Sequence, residues 1–539
     1  MAADGYDYIV IGAGSAGCVV AHRLGEDPKT RVLVLDAGGP DDSFLYRRPG
    51  ALGLVYQVPQ LKKKADWGYH TVPQRHMDER VMPVTRSKIL GGCSSVNGML
   101  YIRGNRANYD GWRDMGCEGW GYDDVLPLFR RSESHEDGES TYHGGDGPLK
   151  VTHQWGCSVV SEAFRDAAAA ACGVPVLEDF NGAEQEGAGL YQMTCADRRR
   201  MSTAVTFLHP AVARGNVELV RGAHAARIEL DGRRAVAVHY LVDGEPRVAR
   251  AAREIVLSAG VIGSAQVLML SGIGPADHLR SVGVDVAVDL PGVGGNLHDH
   301  LLVPVRFHAT RDTGHTSTAG HFLSGMLQDL LFRSGWFGKT FLEGGAFVKT
   351  RPEASLPDLQ FHSIPWAYPE PNDDVPEQGV IAKTHSFTVL PGILYPKSRG
   401  TIRLESADPT AHPRIDPNYL ADDADMAAMV RGIELTREIA ATEPLRDYLR
   451  GEAFPGPECR TEADIRAHIR VAAKTIFHPV GTCKMGIHGD SVVDPELRVR
   501  GVDGLRVADA SIMPTIVGGN TNAPTIMIGE KCSDLLLQQ

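Results

Sequence analysis

No apolar run in the chain approaches the length of a membrane span. The opening residues, Met1-Ala2-Ala3-Asp4-Gly5, lack the basic and apolar regions of a secretion signal, so a cytoplasmic location is expected. The nine cysteines are scattered and include no CxxC, which argues against a disulfide framework or a zinc knuckle and for reduced thiols. Long basic runs are also missing. The densest are Lys62-Lys63-Lys64 and Arg198-Arg199-Arg200, and the formal charge is -12, so nucleic acid is not an expected partner. There is no internal repeat and no low-complexity linker. What remains is an ordinary globular composition, with 43% hydrophobic and 23% charged residues, in a chain of 539 residues. That length exceeds what one hydrophobic core usually serves.

The first forty residues carry a nucleotide-binding pattern. YDYIVI at 6–11 reads as a buried parallel strand. Gly12-Ala13-Gly14-Ser15-Ala16-Gly17 follows, then an apolar helical stretch, then the strand RVLVL at 31–35 ending at Asp36 and Ala37. In this pattern Gly12 permits the tight turn, Gly14 lets a pyrophosphate approach the backbone, and Gly17 lets the helix pack closely. The helix N-terminus, with Ser15 and Ala16, favours the negative charge. Asp36 stands where an acid binds a ribose hydroxyl. The pattern alone does not choose between NAD and FAD.

Further blocks narrow the choice. Residues 86–104 read RSKILGGCSSVNGMLYIRG, and 258–275 run from SAGVIGSAQ to SGIGP. PGVGGNLHDH follows at 291–300, FHPVGTCKMG at 477–486, GLRVADAS at 504–511, and PTIVGGNTNAPT at 514–525. These long blocks, in order along nearly the whole chain, resemble the glucose-methanol-choline (GMC) oxidoreductases, in particular the choline-dehydrogenase-like alcohol dehydrogenases and oxidases.

The resemblance implies FAD and an α/β architecture: a Rossmann-like FAD domain from residues 1–155, 215–310 and 460–539, and an inserted substrate domain of antiparallel sheet plus helices from 156–214 and 311–459. Read locally, 424–441 predicts a helix, with Met426, Met429, Val430, Ile433 and Leu435 at helical spacing. A strand is expected at 400–404, a helix within 110–131, and a polar surface loop over 132–147.

Oxidising an alcohol removes a proton from oxygen and a hydride from carbon, so the protein must supply a base and a group that holds the developing alkoxide. The resemblance assigns the base to His478 and the partner to Asn520. It implies that Gly91, Gly92, Asn97, Gly98 and Met99 line the flavin ring, and that Arg86, Ser95, Asp509, Ala510, Asn522 and Thr525 contact the cofactor. Ala225 is implied to meet the adenine through its backbone, and Trp67 is a candidate neighbour of the same ring. Val96 stands where some relatives hold a histidine bonded to the flavin, so non-covalent FAD is expected. His298-Asp299-His300 is read as structural, since it lacks the further ligands a metal site needs.

Glu343, Phe347, Trp366 and Phe477 are the candidate substrate-pocket residues, offering a carboxylate and aromatic faces of the kind a quaternary ammonium needs. The expected reaction is oxidation of a neutral primary alcohol to the aldehyde, with oxygen, a quinone or a redox protein as electron acceptor. The alternatives are a choline-type substrate, or a non-redox hydroxynitrile lyase on the same fold. A fatty-acid photodecarboxylase is disfavoured by His478 with Asn520.

Overall fold

The computed structural model describes residues 5–52, 55, 58–310, 318–369 and 383–538. Two sheets dominate it. In the first, the strands run in the order Val217–Arg221, Val32–Asp36, Gly5–Ile11, Glu245–Leu257, Arg234–Val242 and Ala223–Asp231, with Leu505–Val507 beside Glu245–Leu257. The pairings among the first four strands and with Leu505–Val507 are parallel. The first four residues of Val32–Asp36, the second half of Gly5–Ile11 and the last residues of Glu245–Leu257 are apolar and buried, as strands at the centre of a parallel sheet are. Glu245–Leu257 is long enough to serve two partners. Its second half lies parallel to Gly5–Ile11, and its first half turns back against Arg234–Val242 as an antiparallel ribbon.

The glycines do separate jobs in the turn between Gly5–Ile11 and the helix Ser15–Leu24. Gly12 has φ +98°, and a Cβ there would meet the Ser258 carbonyl oxygen at 2.4 Å. A Cβ on Gly17 would meet the Gly12 oxygen at 1.9 Å, so the helix can lie this close only with glycine. Nothing stands within 4 Å of the Cβ position of Gly14. The C-terminal helix Asn522–Leu537 packs across Ser15–Leu24.

The second sheet runs Leu449–Phe454, Val305–Ala309, Ser386–Ile393, Leu359–Ile364, Gly344–Val348, Gly187–Leu190 and Val176–Leu177. Its pairs are antiparallel except the last. The helices Val159–Cys172, Asp423–Ala440 and Glu462–Ala472 contribute to its core. The expected helix at 424–441 is Asp423–Ala440, started by Asp422, whose side chain accepts from the Ala424 amide at 2.9 Å. The five named apolar residues are buried in it. The strand expected at 400–404 is Thr401–Arg403. The single helix expected within 110–131 is two, Arg106–Asp114 and Tyr122–Ser132, parted where Gly116 takes φ +91°.

Two expectations change. The second sheet takes in Leu301–Leu302, Val305–Ala309 and Lys474–Thr475, and Glu462–Ala472 packs with it. Its strands in this part of the chain therefore begin at Leu301 and reach Thr475, past the expected limits of 311 and 459, because Val303, Val305, Phe307, Ile465 and Ile469 bury their side chains in that core. Residues 132–147 are not simply a surface loop. Glu133–His135 is a buried strand paired with Leu149–Val151. Arg103 reaches Glu133 at 2.5 Å, His143 Nδ1 lies 3.0 Å from the same carboxylate, and His143 Nε2 lies 2.9 Å from Asp179. Burial pulls the His143 pKa down, but the hydrogen bonds to Asp179 and Glu133 outweigh it and hold it at about 9.

Removing one partner of a buried pair leaves an uncompensated charge, at a cost of about 3–5 kcal/mol. Glu133→Ala is therefore expected to lose about that much in equilibrium denaturation, with Arg103 stranded. A loss below about 1 kcal/mol would show that the network does not carry this part of the fold.

Candidate active site

A cavity of about 1350 Å³ runs from the glycine turn to the edge of the second sheet. That exceeds the roughly 300–1,000 Å³ of a typical small-ligand pocket, so it has room for a dinucleotide and a substrate together. Two helices, Ser15–Leu24 and Asn522–Leu537, begin at its wall without a side-chain cap, and a third, Gly260–Leu270, begins there with its first N–H bonded to the Asp509 carboxylate. Uncapped N–H groups at a helix start suit an anion. The open space at Gly14 leaves the backbone accessible, so the residues present fit a bound pyrophosphate.

Most of the sequence-derived cofactor residues line this cavity: Gly12, Gly14, Ser15, Ala16, Asp36, Ala37, Trp67, Arg86, Gly92, Asn97, Gly98, Met99, Ala225, Asp509, Ala510, Asn522 and Thr525. Val96 lines it too. The Asp36 carboxylate accepts from the Ala13 and Gly38 amides, both at 2.6 Å. Burial pushes its pKa up against those bonds. Ser15 Oγ donates to Asn522 Oδ1 at 2.7 Å, tying the glycine turn to the C-terminal helix. The Asp509 carboxylate accepts from Gly260 N, Ser264 Oγ and Ser511 N, so it clamps two segments of the wall.

Three of the expected cofactor residues lie behind the wall. Gly17 is occupied in helix packing, Gly91 takes φ +83° against Ser95, and Ser95 Oγ donates to the Leu90 carbonyl.

At the other end stand His478 and Asn520, with Trp366 and Phe477. Their hydrogen bonds form one chain whose direction can be read from its ends. His300 Nε2 lies 2.9 Å from the Leu394 carbonyl oxygen, which can only accept, so the proton of the neutral ring is on Nε2. His300 Nδ1 is then an acceptor, and His478 Nδ1, 3.1 Å away, must donate to it. That leaves a lone pair on His478 Nε2. Asn520 Nδ2 lies 3.3 Å from this atom and donates to it.

The Asn520 amide is oriented from behind by Gln360, whose Nε2 donates to Asn520 Oδ1 at 3.2 Å and to Tyr191 Oη at 3.1 Å. Tyr191 ends the chain by donating to the Phe361 carbonyl at 2.7 Å. Burial, with His300, His362 and Arg86 nearby, lowers the His478 pKa well below its ordinary value, so the ring is neutral at pH 7.

The backbone around His478 is held as well. Asp299 accepts from His478 N at 2.8 Å, from Tyr419 Oη at 2.7 Å, and from Thr475 Oγ1. Phe477, a bulky residue, sits at φ +64°, a conformation such residues rarely adopt. Arg86 Nη2 donates to its carbonyl at 2.5 Å. Asp299 and His300, read from the sequence only as structural, are thus the supports of His478. The signal that could have found them is their adjacency in NLHDH, which lets one hold the backbone and the other the ring.

Two expected pocket residues are elsewhere. Glu343 is fully buried, with Lys339 Nζ at 2.5 Å and Ser158 N donating to it at 2.8 Å, and does not reach the cavity. Lys339 is four residues earlier and neutralises it. Phe347 is packed among Phe180, Tyr191 and Leu394 behind the wall. The substrate end is instead lined by Leu100, Leu302, Phe341, Leu342, Ile364 and Leu390, none of which stood out in the sequence. Lys62, Arg80, Lys88 and Lys474 also line the cavity. Lys474 Nζ lies over the Tyr368 ring, 5.4 Å from its centre, and donates to the Pro369 carbonyl at 2.8 Å.

A family model described as GMC oxidoreductase matches residues 6–302, and a second with the same description matches 396–529. The alcohol dehydrogenase (acceptor) of Pseudomonas putida is 40% identical over 99% of this chain and 96% of its own length. The oxygen-dependent choline dehydrogenase of Sinorhizobium fredii is 41% identical over 98% of this chain and 95% of its own. Among solved structures, an Aspergillus oryzae formate oxidase described for its FAD modification superposes with a TM-score of 0.89 at 28% identity, covering 99% of this chain and 98% of that one.

Proposed function

Because the chain belongs to the GMC oxidoreductase family, we propose that it oxidises a neutral primary alcohol to the aldehyde with FAD, and that His478 is the base. The observation that carries this reading is the hydrogen-bond chain that leaves His478 Nε2 as an acceptor beside Asn520, with both residues on the cavity wall. When bound, the flavin supplies the hydride acceptor.

The protein's own residues do the rest. His478 Nε2 takes the hydroxyl proton, and His300 keeps that nitrogen unprotonated beforehand by accepting from Nδ1. The Asn520 amide N–H turns from Nε2 to the substrate oxygen and holds the developing negative charge. The apolar lining excludes water from the transfer. Gly12, Gly14, Asp36, Ala225 and the residues around Asn97 would hold the cofactor, and with valine at position 96 the flavin stays dissociable. Nine free cysteines support a reducing, cytoplasmic setting. Among the described residues no helix is long and apolar enough to cross a membrane.

The preference for a neutral substrate rests on charge. Glu343, the carboxylate the sequence offered for the substrate, lies outside the cavity and is neutralised by Lys339, and the Tyr368 face is already covered by the Lys474 ammonium. Lys62, Arg80 and Arg86 add positive charge to the wall, which disfavours a quaternary ammonium.

Anaerobic mixing with an alcohol panel is expected to bleach the flavin fastest with aliphatic or benzylic primary alcohols, and acid precipitation to leave the flavin in the supernatant. Choline outpacing them would overturn the substrate class, and no bleaching by any alcohol would favour the lyase. Readmitted air then separates an oxidase from a dehydrogenase by how fast the colour returns.

His478→Ala should keep its flavin yet reduce it about 10²–10⁴-fold more slowly. His300→Ala should cost about 10–100-fold with KM little changed, as for a group that orients a working histidine. Since the His478 pKa is lowered, its base form persists as pH falls, so wild-type reduction should hold its plateau through pH 6.5 and decline only well below it. A half-loss near pH 6.5, or a His478→Ala enzyme reducing normally, would remove His478 from this role.

A further inference from the structure

Among the described residues, two overlapping groups of metal-ligating side chains lie outside the cavity. The parallel strands Glu133–His135 and Leu149–Val151 end on the register pair His135 and Val151. Asp137 and His153, each two residues further on, therefore leave the sheet side by side. Here the ligand atoms of His135, Asp137 and His153 lie within 4.8 Å of one another. Asp137 Oδ2 is 2.6 Å from His153 Nε2 and 3.8 Å from His135 Nδ1. Around a zinc ion with bonds of about 2.0–2.2 Å, tetrahedral ligand atoms stand about 3.4 Å apart, and the two separations bracket that value.

The backbone that carries these residues is held in place. Glu136 N donates to the Val151 carbonyl and Gly138 N to the His135 carbonyl, each at 3.0 Å. The Glu136 carboxylate accepts from the His153 amide. His135 is buried, and its Nδ1 accepts only a long 3.3 Å bond from Asp137 N. Its proton is therefore on Nε2, a buried atom with no hydrogen-bond partner. The ring thus presents an unprotonated Nδ1 to Asp137 and His153, the form a metal requires. The neighbouring trio of Glu133, His135 and His143 is less suited, because Glu133 is paired with Arg103, and His143 spans Glu133 and Asp179.

We propose that His135 Nδ1, Asp137 Oδ2 and His153 Nε2 form a site for a borderline divalent cation such as Zn(II), with water completing the coordination. The ion replaces the proton shared between Asp137 and His153 and fastens the ends of the two strands. Two imidazoles and one carboxylate favour zinc or a similar transition ion over magnesium or calcium, which prefer oxygen.

The test is calorimetric titration of the flavin-loaded enzyme with zinc chloride, after chelator treatment and dialysis. One saturable site per chain is expected, weakened at least about tenfold in His153→Ala and in Asp137→Asn. Both positions are exposed enough to leave flavin content and folding unchanged. His209→Ala should leave the affinity unchanged, since it breaks a histidine–carboxylate pair with the buried Asp41 that, among the described residues, belongs to no group of three metal-ligating side chains. No saturable site, or wild-type affinity in both His153→Ala and Asp137→Asn, would overturn the proposal, and the alcohol reaction would be untouched by either result.

Discussion

The buried carboxylate of Asp299 is the point on which the active site turns. It belongs to a segment that leads into the second sheet, and it accepts hydrogen bonds from Tyr419, Thr475 and the main chain of His478. Burial raises its pKa while those donors oppose the rise. A charge in such a place is tolerable only where its donors are fixed, so the same contacts that stabilise it also locate His478. The neighbouring residue, His300, then reaches the ring. One dipeptide thus sets the position of the imidazole through the backbone and its tautomer through Nδ1.

This arrangement joins the two halves of the molecule. The glycine-turn end of the cavity is built from backbone: a turn that needs glycine, two helix starts without side-chain caps, and amides around Asp36. The other end is lined by side chains of the second sheet, Leu302, Ile364 and Leu390, and of the loops beside it. His478 and Asn520 stand on loops between them and are held from the sheet side, Asn520 by Gln360 on the strand Leu359–Ile364. Gln360 on its strand aims Asn520, and Asp299 and His300, just ahead of Leu301–Leu302, aim His478, the kind of fixed geometry proton transfer requires.

The glycine turn and its flanking strands and helix were legible because their constraints are local. A glycine whose Cβ would strike a carbonyl two ångströms away leaves its mark at one position, and strand, turn, helix and acid follow within forty residues. The helix at 423–440 was legible for the same reason, since its buried residues recur with the helical period. Residues 132–147 misled because polarity was read as exposure. Glu133 and His143 are polar and buried together, compensated by Arg103 and Asp179, which lie 30 and 36 positions from their partners. Pairing at that range leaves no periodic trace.

The substrate half shows the same limit more sharply. Glu343 looked like a free carboxylate because a motif position records which residue is present and not who neutralises it. Lys339 lies only four residues away, yet in a segment without regular periodicity that spacing carries no geometric meaning, and only the fold makes them partners. Lys474 and Tyr368 are more than a hundred positions apart and meet only because the strands Leu301–Leu302, Ser386–Ile393 and Lys474–Thr475 run side by side. The charge that a substrate meets is therefore a property of sheet order, and relatives with the same motifs can differ in it without any change in the residues that carry the chemistry.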